Sequence, residues 1–400
     1  MMIPYGRQDI SQADIDAVVE VLRSDFLTQG PTIPRFEQAV ATHVGARYAV
    51  AVNSATSALH IACLALGLGS GDRLWTVPNT FVASANCGRY CGAEVDFVDI
   101  DPDTWNISVT CLREKLIDAR ARQQLPKIVV PVHFSGQPTD QEAIWALAQE
   151  FGFKVLEDAS HAIGASHRAE PVGSCRWSDI TIFSFHPVKI VTTGEGGLAL
   201  TNDAALAERM ALFRSHGITR DAQRFRASAT TENASASALV CPAAWYYEQQ
   251  ELGYNYRMTD IQAVLGVSQL GRLQSYVARR NLLAQRYDAK LGDLPLTLPT
   301  ILDHNISAFH LYVVRIQPAQ TPKTHRQIFD ELRSKGVGVN LHYMPVHLQP
   351  YYQDLGFTAG QFPEAEAHGS QAISLPLFPT LTFEQQDDVV LAVRNVLGHA

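Results

Sequence analysis

The sequence predicts an α/β protein organised on a mostly parallel central sheet, and two observations carry that reading. From Leu74 onward, the apolar runs LWTVP, VDFVDI, KIVVPVHFSG, FKVLED and ITIFS alternate with helix-length segments, among them those around 80–91, 108–118 and 139–150. Strands that are apolar throughout are buried on both faces, as happens when helices cover both sides of a parallel sheet. In addition, Phe81, His133, Asp158 and Ser184 all fall at or just after the ends of such runs. Ligands of parallel sheets bind beyond the carboxyl ends of the strands, so these residues mark one edge as the functional one.

A chain of 400 residues is long for one folding unit. We expect a large domain over 12–270 and a smaller C-terminal α/β domain over 271–400, joined by residues 1–11. A helix is expected from Ser11, with Ile15, Val18, Val19 and Leu22 at helical spacing. SDFLTQGP (24–31) reads as a loop, and Tyr48–Val52 as a short strand. NSATSAL (53–59) then turns into a helix whose first amides are free to bind an anion, with Ser54 or Thr56 available as cap. Residues 222–250 break the alternation. They are Ala/Ser-rich and end in Trp245, Tyr246 and Tyr247, which reads as a loop excursion. Thr259 with Gln262 makes a capping box ahead of an apolar helical face. After residue 275 the pattern is helix, AFHLYVVRI, a helix over 324–335, VGVNLHYMP and closing helices. HLY (310–312) and HY (342–343) are expected at strand edges.

The chemistry concentrates between Phe153 and Leu200. Asp158 closes one buried-type run, and Lys189 follows another that begins at Ile180. Taken singly, they are a loop acid and a surface lysine. Together they suit pyridoxal 5'-phosphate (PLP), which needs a lysine amine for its aldehyde and an acid to keep its ring nitrogen protonated. Ser184, five positions before Lys189, places a hydroxyl within reach of the phosphate. Gly194, Gly196 and Gly197 allow tight turns and close backbone approach.

EDASHAIG together with SFHPVKIVTTGEGG resembles the DegT/DnrJ family of PLP-dependent sugar aminotransferases. The resemblance runs from IPY near the N-terminus to HYMP and SLPLFP, and so covers nearly the whole chain. It implies the aspartate-aminotransferase fold (fold type I). It also implies a cofactor set of Ala55, Thr56, Phe81, Asp158, His161, Ser184, Lys189 and Asn255, with Lys189 and Asp158 catalytic. Phe81 would stack on the cofactor. If its segment turns helical, His161 shares a face with Asp158 and orients it or bonds the cofactor. Asn255 would reach from one subunit into the other's phosphate site, which requires a homodimer with shared active sites. Substrate contacts implied are Tyr5, Asp25, Phe26, Leu27, Thr28, Phe309, His310, Leu311, Tyr312 and Tyr343. The combination of IPYGRQDI, SDFLTQGP and WYYEQQELGYNYRMTDIQA is closest to the pseudaminic acid branch of the family. That branch moves an amino group from L-glutamate to C4 of a UDP-linked 2-acetamido-2,6-dideoxy-4-ketohexose. The alternatives are another nucleotide-linked 4-keto sugar, a PLP-dependent sugar dehydratase, and a non-catalytic PLP sensor. Dehydratases of this fold carry histidine in place of the lysine, so Lys189 argues against the second. The complete lysine, aspartate and phosphate set argues against the third.

Composition narrows the field. With 46% hydrophobic and 18% charged residues the chain is a packed globule rather than a disordered one. A net charge of −8 with no basic stripe excludes a nucleic-acid partner. No apolar run approaches the roughly 20 residues that cross a bilayer, so no membrane role is expected. The N-terminus carries no signal pattern, so a cytoplasmic address is expected. Cysteines 63, 87, 91, 111, 175 and 241 form no CxxC pair and read as reduced thiols. No HExxH or similar spacing occurs among the 14 histidines, and no metal is expected.

Overall fold

The computed structural model describes residues 2–226 and 244–398. Most of the excursion expected over 222–250, including Cys241, therefore lies outside the described residues.

Helices α1 (Gln12–Leu22) and α2 (Thr32–Val44) lead into strand β1 (Tyr48–Val52) and helix α3 (Ala55–Ala65). A βα alternation follows: β2 (Arg73–Thr76), α4 (Ala83–Tyr90), β3 (Glu94–Phe97), α5 (Val109–Ala121), β4 (Ile128–Val129), α6 (Gln141–Phe151) and β5 (Lys154–Asp158). After a small hairpin, β6 (Ser166–His167) and β7 (Glu170–Pro171), come β8 (Ile180–Ser184), β9 (Gly197–Thr201) and α7 (Ala204–Arg214).

The seven-stranded sheet has the order β1-β9-β8-β5-β4-β2-β3. From β8 to β3 all neighbours are parallel, while β9 runs antiparallel to both β8 and β1. The inner strands are apolar on both faces because helices cover both. Every residue of β8 and β9 is buried.

A short pair, β10 (Ile218–Thr219) with β11 (Glu248–Gln249), precedes α8 (Asp260–Leu270) and the long α9 (Leu273–Leu291). The C-terminal part builds a second, antiparallel sheet from β12 (Leu296–Thr297), β14 (Tyr312–Ile316) and β15 (Ala372–Leu375), while β13 (Asn305–Ile306) pairs with β6. Helices α10 (His325–Ser334), α11 (Pro350–Gln353), α12 (Pro363–Gln371) and α13 (Phe383–Val396) complete it. Its own core gathers Tyr287, Tyr312, Val314, Ile328, Leu375 and Val393. The N-terminus joins this part through the Ile3–Val337 bridge and the amide of Leu377 donating to the Tyr5 carbonyl.

Local signals explain the helix starts. Ser11 and Thr259 each cap their helix reciprocally with the residue three positions on, Asp14 and Gln262, which settles two orphan amides per helix. Residues 337–345 differ from the expected strand. They make only isolated bridges, Ile3–Val337 and Asn340–Ser374. His342 and Tyr343 therefore sit on irregular chain, and the His342–Tyr343 peptide is cis.

Candidate active site

A cavity of about 850 Å³ opens at the carboxyl ends of the parallel strands. Its floor is the end of β5. Asp158 is buried, and both carboxylate oxygens are engaged: Ser84 Oγ donates to Oδ2 at 2.6 Å, and the Ser160 amide donates to Oδ1 at 3.0 Å. Thr80 Oγ1 lies 2.8 Å from Ser84 Oγ, so a buried hydroxyl chain supports the acid from α4. The segment after Asp158 is a turn, not the helix considered above. His161 therefore reaches the cavity from a turn, with its ring tied to Ser135 and Tyr343.

Lys189 stands in the loop between the antiparallel strands β8 and β9. The loop is knitted by Lys189 N to His186 O (2.9 Å), Thr193 N to Phe185 O (3.0 Å) and Phe185 N to Gly196 O (2.9 Å). Gly194 takes a positive φ of 80° there, where a side chain would be strained. Burial pushes the Lys189 amine down to about 8, with Asp158 pulling the other way. An amine so placed is neutral in a usable fraction near neutral pH, which a nucleophile and proton carrier needs.

The anion end is the start of α3. Ser54 caps the helix by accepting from the Ser57 amide, and the Ala55 and Thr56 amides have no acceptor among the described residues. Gly197 packs directly against this turn, and a Cβ there would lie 2.5 Å from the Ala55 nitrogen. Ser184 also lines this cavity.

The opposite wall comes from the C-terminal part: His310, Asn340, His342 and Tyr343, with Tyr5 beside them. Phe81 is 57% exposed at the mouth, its ring centroid 6.2 Å from that of Tyr343. The His161 and His310 rings lie 4.5 Å apart between centroids, tilted by 44°. Burial, reinforced by the Lys189 charge, holds His161 and His310 well below the ordinary imidazole value and His342 at about 3. All three rings are neutral at physiological pH.

The structure thus brings Tyr5, Ala55, Thr56, Phe81, Asp158, His161, Ser184, Lys189, His310 and Tyr343 to one cavity. It does not bring the other expected residues there. Phe309, Leu311 and Tyr312 are buried in the cores, because the chain around His310 turns inward on both sides; the Tyr312 hydroxyl is spent on Asp288. Asp25, Phe26, Leu27 and Thr28 are exposed, on a loop pinned by the Thr28–Thr259 bridge. Asn255 is exposed too, bridged to Ser215. Trp245, Tyr246 and Tyr247 do not line the cavity. Sequence reasoning missed Ser84, Thr80, Ser160 and Asn340, and named His342 only as a strand-edge residue. Only Ser160 carried a local signal, lying two residues after Asp158.

The residues present fit PLP. Free amides at a helix start suit its phosphate, Lys189 its aldehyde, and Asp158 its ring nitrogen. A buried His310 Nδ1, without a partner among the described residues, awaits a polar ligand group.

Comparison with known proteins agrees. The pattern of the DegT/DnrJ/EryC1/StrS aminotransferase family matches residues 8–394, and the chain belongs to that family. It is a PLP-dependent sugar aminotransferase with the fold of that group. It is 38% identical to the spore coat polysaccharide biosynthesis protein SpsC of Bacillus subtilis, over 100% of this chain and 98% of that protein. The structure of Helicobacter pylori PseC, an aminotransferase of pseudoaminic acid biosynthesis, superposes with a TM-score of 0.87 at 30% identity, covering 100% of both chains. Spr1654 of Streptococcus pneumoniae, solved in a PLP form, gives a TM-score of 0.86 at 27% identity, over 100% of this chain and 99% of that one.

Proposed function

We propose that this aminotransferase takes the amino group of L-glutamate and delivers it to C4 of a UDP-linked 2-acetamido-2,6-dideoxy-4-ketohexose, the amination step of the pseudaminic acid pathway. The full-length likeness to PseC carries the reading. PLP, when bound, supplies the electron sink for deprotonation at the donor's α-carbon. Asp158, held in position by Ser84 and Ser160, would keep the ring nitrogen protonated. With PLP bound, the Lys189 amine would serve as the proton carrier at the donor α-carbon, taking the proton in one half-reaction and returning it in the other. The neutral imidazoles leave Lys189 as the strongest base in the cavity.

The protein is further proposed to act as a cytoplasmic homodimer with shared sites. No helix among the described residues is long and apolar enough to cross a membrane. Asn255 and the loop 25–28 are exposed and outside this chain's own cavity, as residues serving a neighbour's site would be. Mixing Lys189→Ala with Asn255→Ala protein should restore activity through hybrid dimers. No recovery after confirmed subunit exchange rejects shared sites.

A second reading, amination of another nucleotide-linked 4-keto sugar, is kept open because identity to PseC is only 30% and the chain is 38% identical to SpsC, a protein of spore coat polysaccharide biosynthesis. Incubation with glutamate and a panel of UDP- and dTDP-linked 4-keto sugars, followed by product identification, separates the two. Turnover confined to a dTDP-linked sugar overturns the UDP assignment.

A further inference from the structure

We infer that the backbone amide of Ser135 fixes His161 as the Nε2–H tautomer and so makes the Tyr343 hydroxyl a hydrogen-bond donor to a ligand oxygen in the cavity. A backbone N–H only donates, and that of Ser135 lies 3.3 Å from His161 Nδ1. Nδ1 therefore presents its lone pair, and in a neutral ring the proton resides on Nε2. Nε2 is 3.2 Å from Tyr343 Oη. It donates, the phenol oxygen accepts, and the phenol's own proton is left for another acceptor. No other hydrogen bond of that hydroxyl occurs among the described residues, and Tyr343 lines the cavity.

The amide is held in place from several sides. Ser135 sits in the left-handed region at φ 62°, an uncommon conformation for a residue with a side chain. Its Oγ donates to the Leu311 carbonyl at 2.8 Å, and its carbonyl accepts from the Leu311 amide at 3.2 Å. The next residue, Gly136, has φ 106°, and a Cβ there would lie 2.8 Å from the Phe309 nitrogen and 3.0 Å from the His161 carbonyl. The loop is wedged between the His161 turn and the 308–311 segment, and its amide has little freedom to turn away.

The charges facing His161 favour the neutral ring. Lys189 is the cation nearby and repels a second positive charge, while His310 and His342 are neutral. Tyr343 is a neutral phenol, because burial drives its ionisation upward. Asp158, the buried carboxylate of this cavity, is already engaged by Ser84 and Ser160, and Glu195 is exposed.

The inference goes beyond the sugar assignment and does not depend on it. Long-range ¹H–¹⁵N correlation on ¹⁵N-histidine holoenzyme reads the tautomer directly, with His161→Gln identifying the signal. The expected result is an Nε2–H ring that does not titrate between about pH 5.5 and 8.5. An Nδ1–H ring, or protonation near neutrality, overturns the inference. Tyr343→Phe then locates the acceptor. Weaker binding of PLP alone places it on the cofactor. Unchanged PLP affinity with a raised KM for the keto sugar places it on the substrate. If neither quantity moves, Tyr343 is not the donor. Side-chain length gives an independent arm. In place of the imidazole, a glutamine amide reaches the Nε2 position, whereas the shorter asparagine amide stops near Nδ1. For whichever ligand the Tyr343→Phe result identifies, PLP affinity or the sugar's KM, His161→Asn should cost about tenfold more than His161→Gln, the weight of one buried hydrogen bond. Equal losses contradict the directional chain.

Discussion

On the sheet side of the cavity, Asp158, Ser184 and Lys189 stand on or just past strand ends, and the Lys189 loop is stitched by backbone hydrogen bonds. On the facing side, His310, Asn340, His342 and Tyr343 stand on chain that forms no strand. That wall is held by side chains gripping backbone. The buried Arg280 guanidinium donates to the carbonyls of Phe309, His310 and Leu377 at 3.2, 3.1 and 3.0 Å, and His368 Nε2 lies 3.0 Å from the His342 carbonyl. The cofactor residues stand on strand ends and a loop joined by backbone hydrogen bonds, with Ser84 added beneath Asp158. We propose that the sugar is met chiefly by the wall whose supports are individually replaceable.

Three variants test this division, beginning with the largest effect. Lys189→Ala should abolish the absorbance band of the lysine–PLP aldimine and lower turnover by about three orders of magnitude, the usual weight of a proton-transferring group. In the wild-type apoprotein, capture of added PLP should quicken as pH rises through about 8, where the Lys189 amine loses its proton. An unchanged spectrum in the variant removes Lys189 from the chemistry. Gly197→Ala drives a methyl into the Ala55–Ser54 backbone and should weaken PLP binding about tenfold or more, measured by fluorescence titration. Normal PLP affinity there would mean the turn at α3 is not the phosphate site. Arg280→Met strips three carbonyls of a charged donor. It should cost about 2–3 kcal/mol in denaturant unfolding. It should also raise the sugar's KM while leaving PLP affinity near that of the wild type. A larger effect on PLP than on sugar would contradict the two-wall division.

Much of the sheet wall was legible in the sequence because its signals are local. A run of apolar residues ends, a carboxylate or hydroxyl follows, and geometry does the rest, as at Asp158 and Ser184. The caps at Ser11 and Thr259 are equally local, with partners three residues away. Ser84 was not legible because its partner is 74 positions distant and its surroundings read as an ordinary helix start. Nor was the side-chain wall. VGVNLHYMP has the composition of a strand, yet its backbone bonds go to isolated bridges and loop contacts, and nothing in its spacing announces that Asn340 and His342 line a cavity. Phe309, Leu311 and Tyr312 show the converse. They flank a cavity residue in sequence, but only His310 faces the space between the walls.

The neutral histidines also make the protein vulnerable to acid. In the unfolded chain each of His161, His310 and His342 takes up a proton near pH 6.5, while in the folded protein burial delays this to far lower pH, about 3 for His342. The unfolded state thus binds more protons across that window. Each ring withdraws up to about 1.4 kcal/mol of stability per pH unit as the medium falls below 6.5. A melting temperature that declines steeply over that range, and less steeply once His342 is replaced by Asn, would be the mark of imidazoles kept dry for the sake of one lysine.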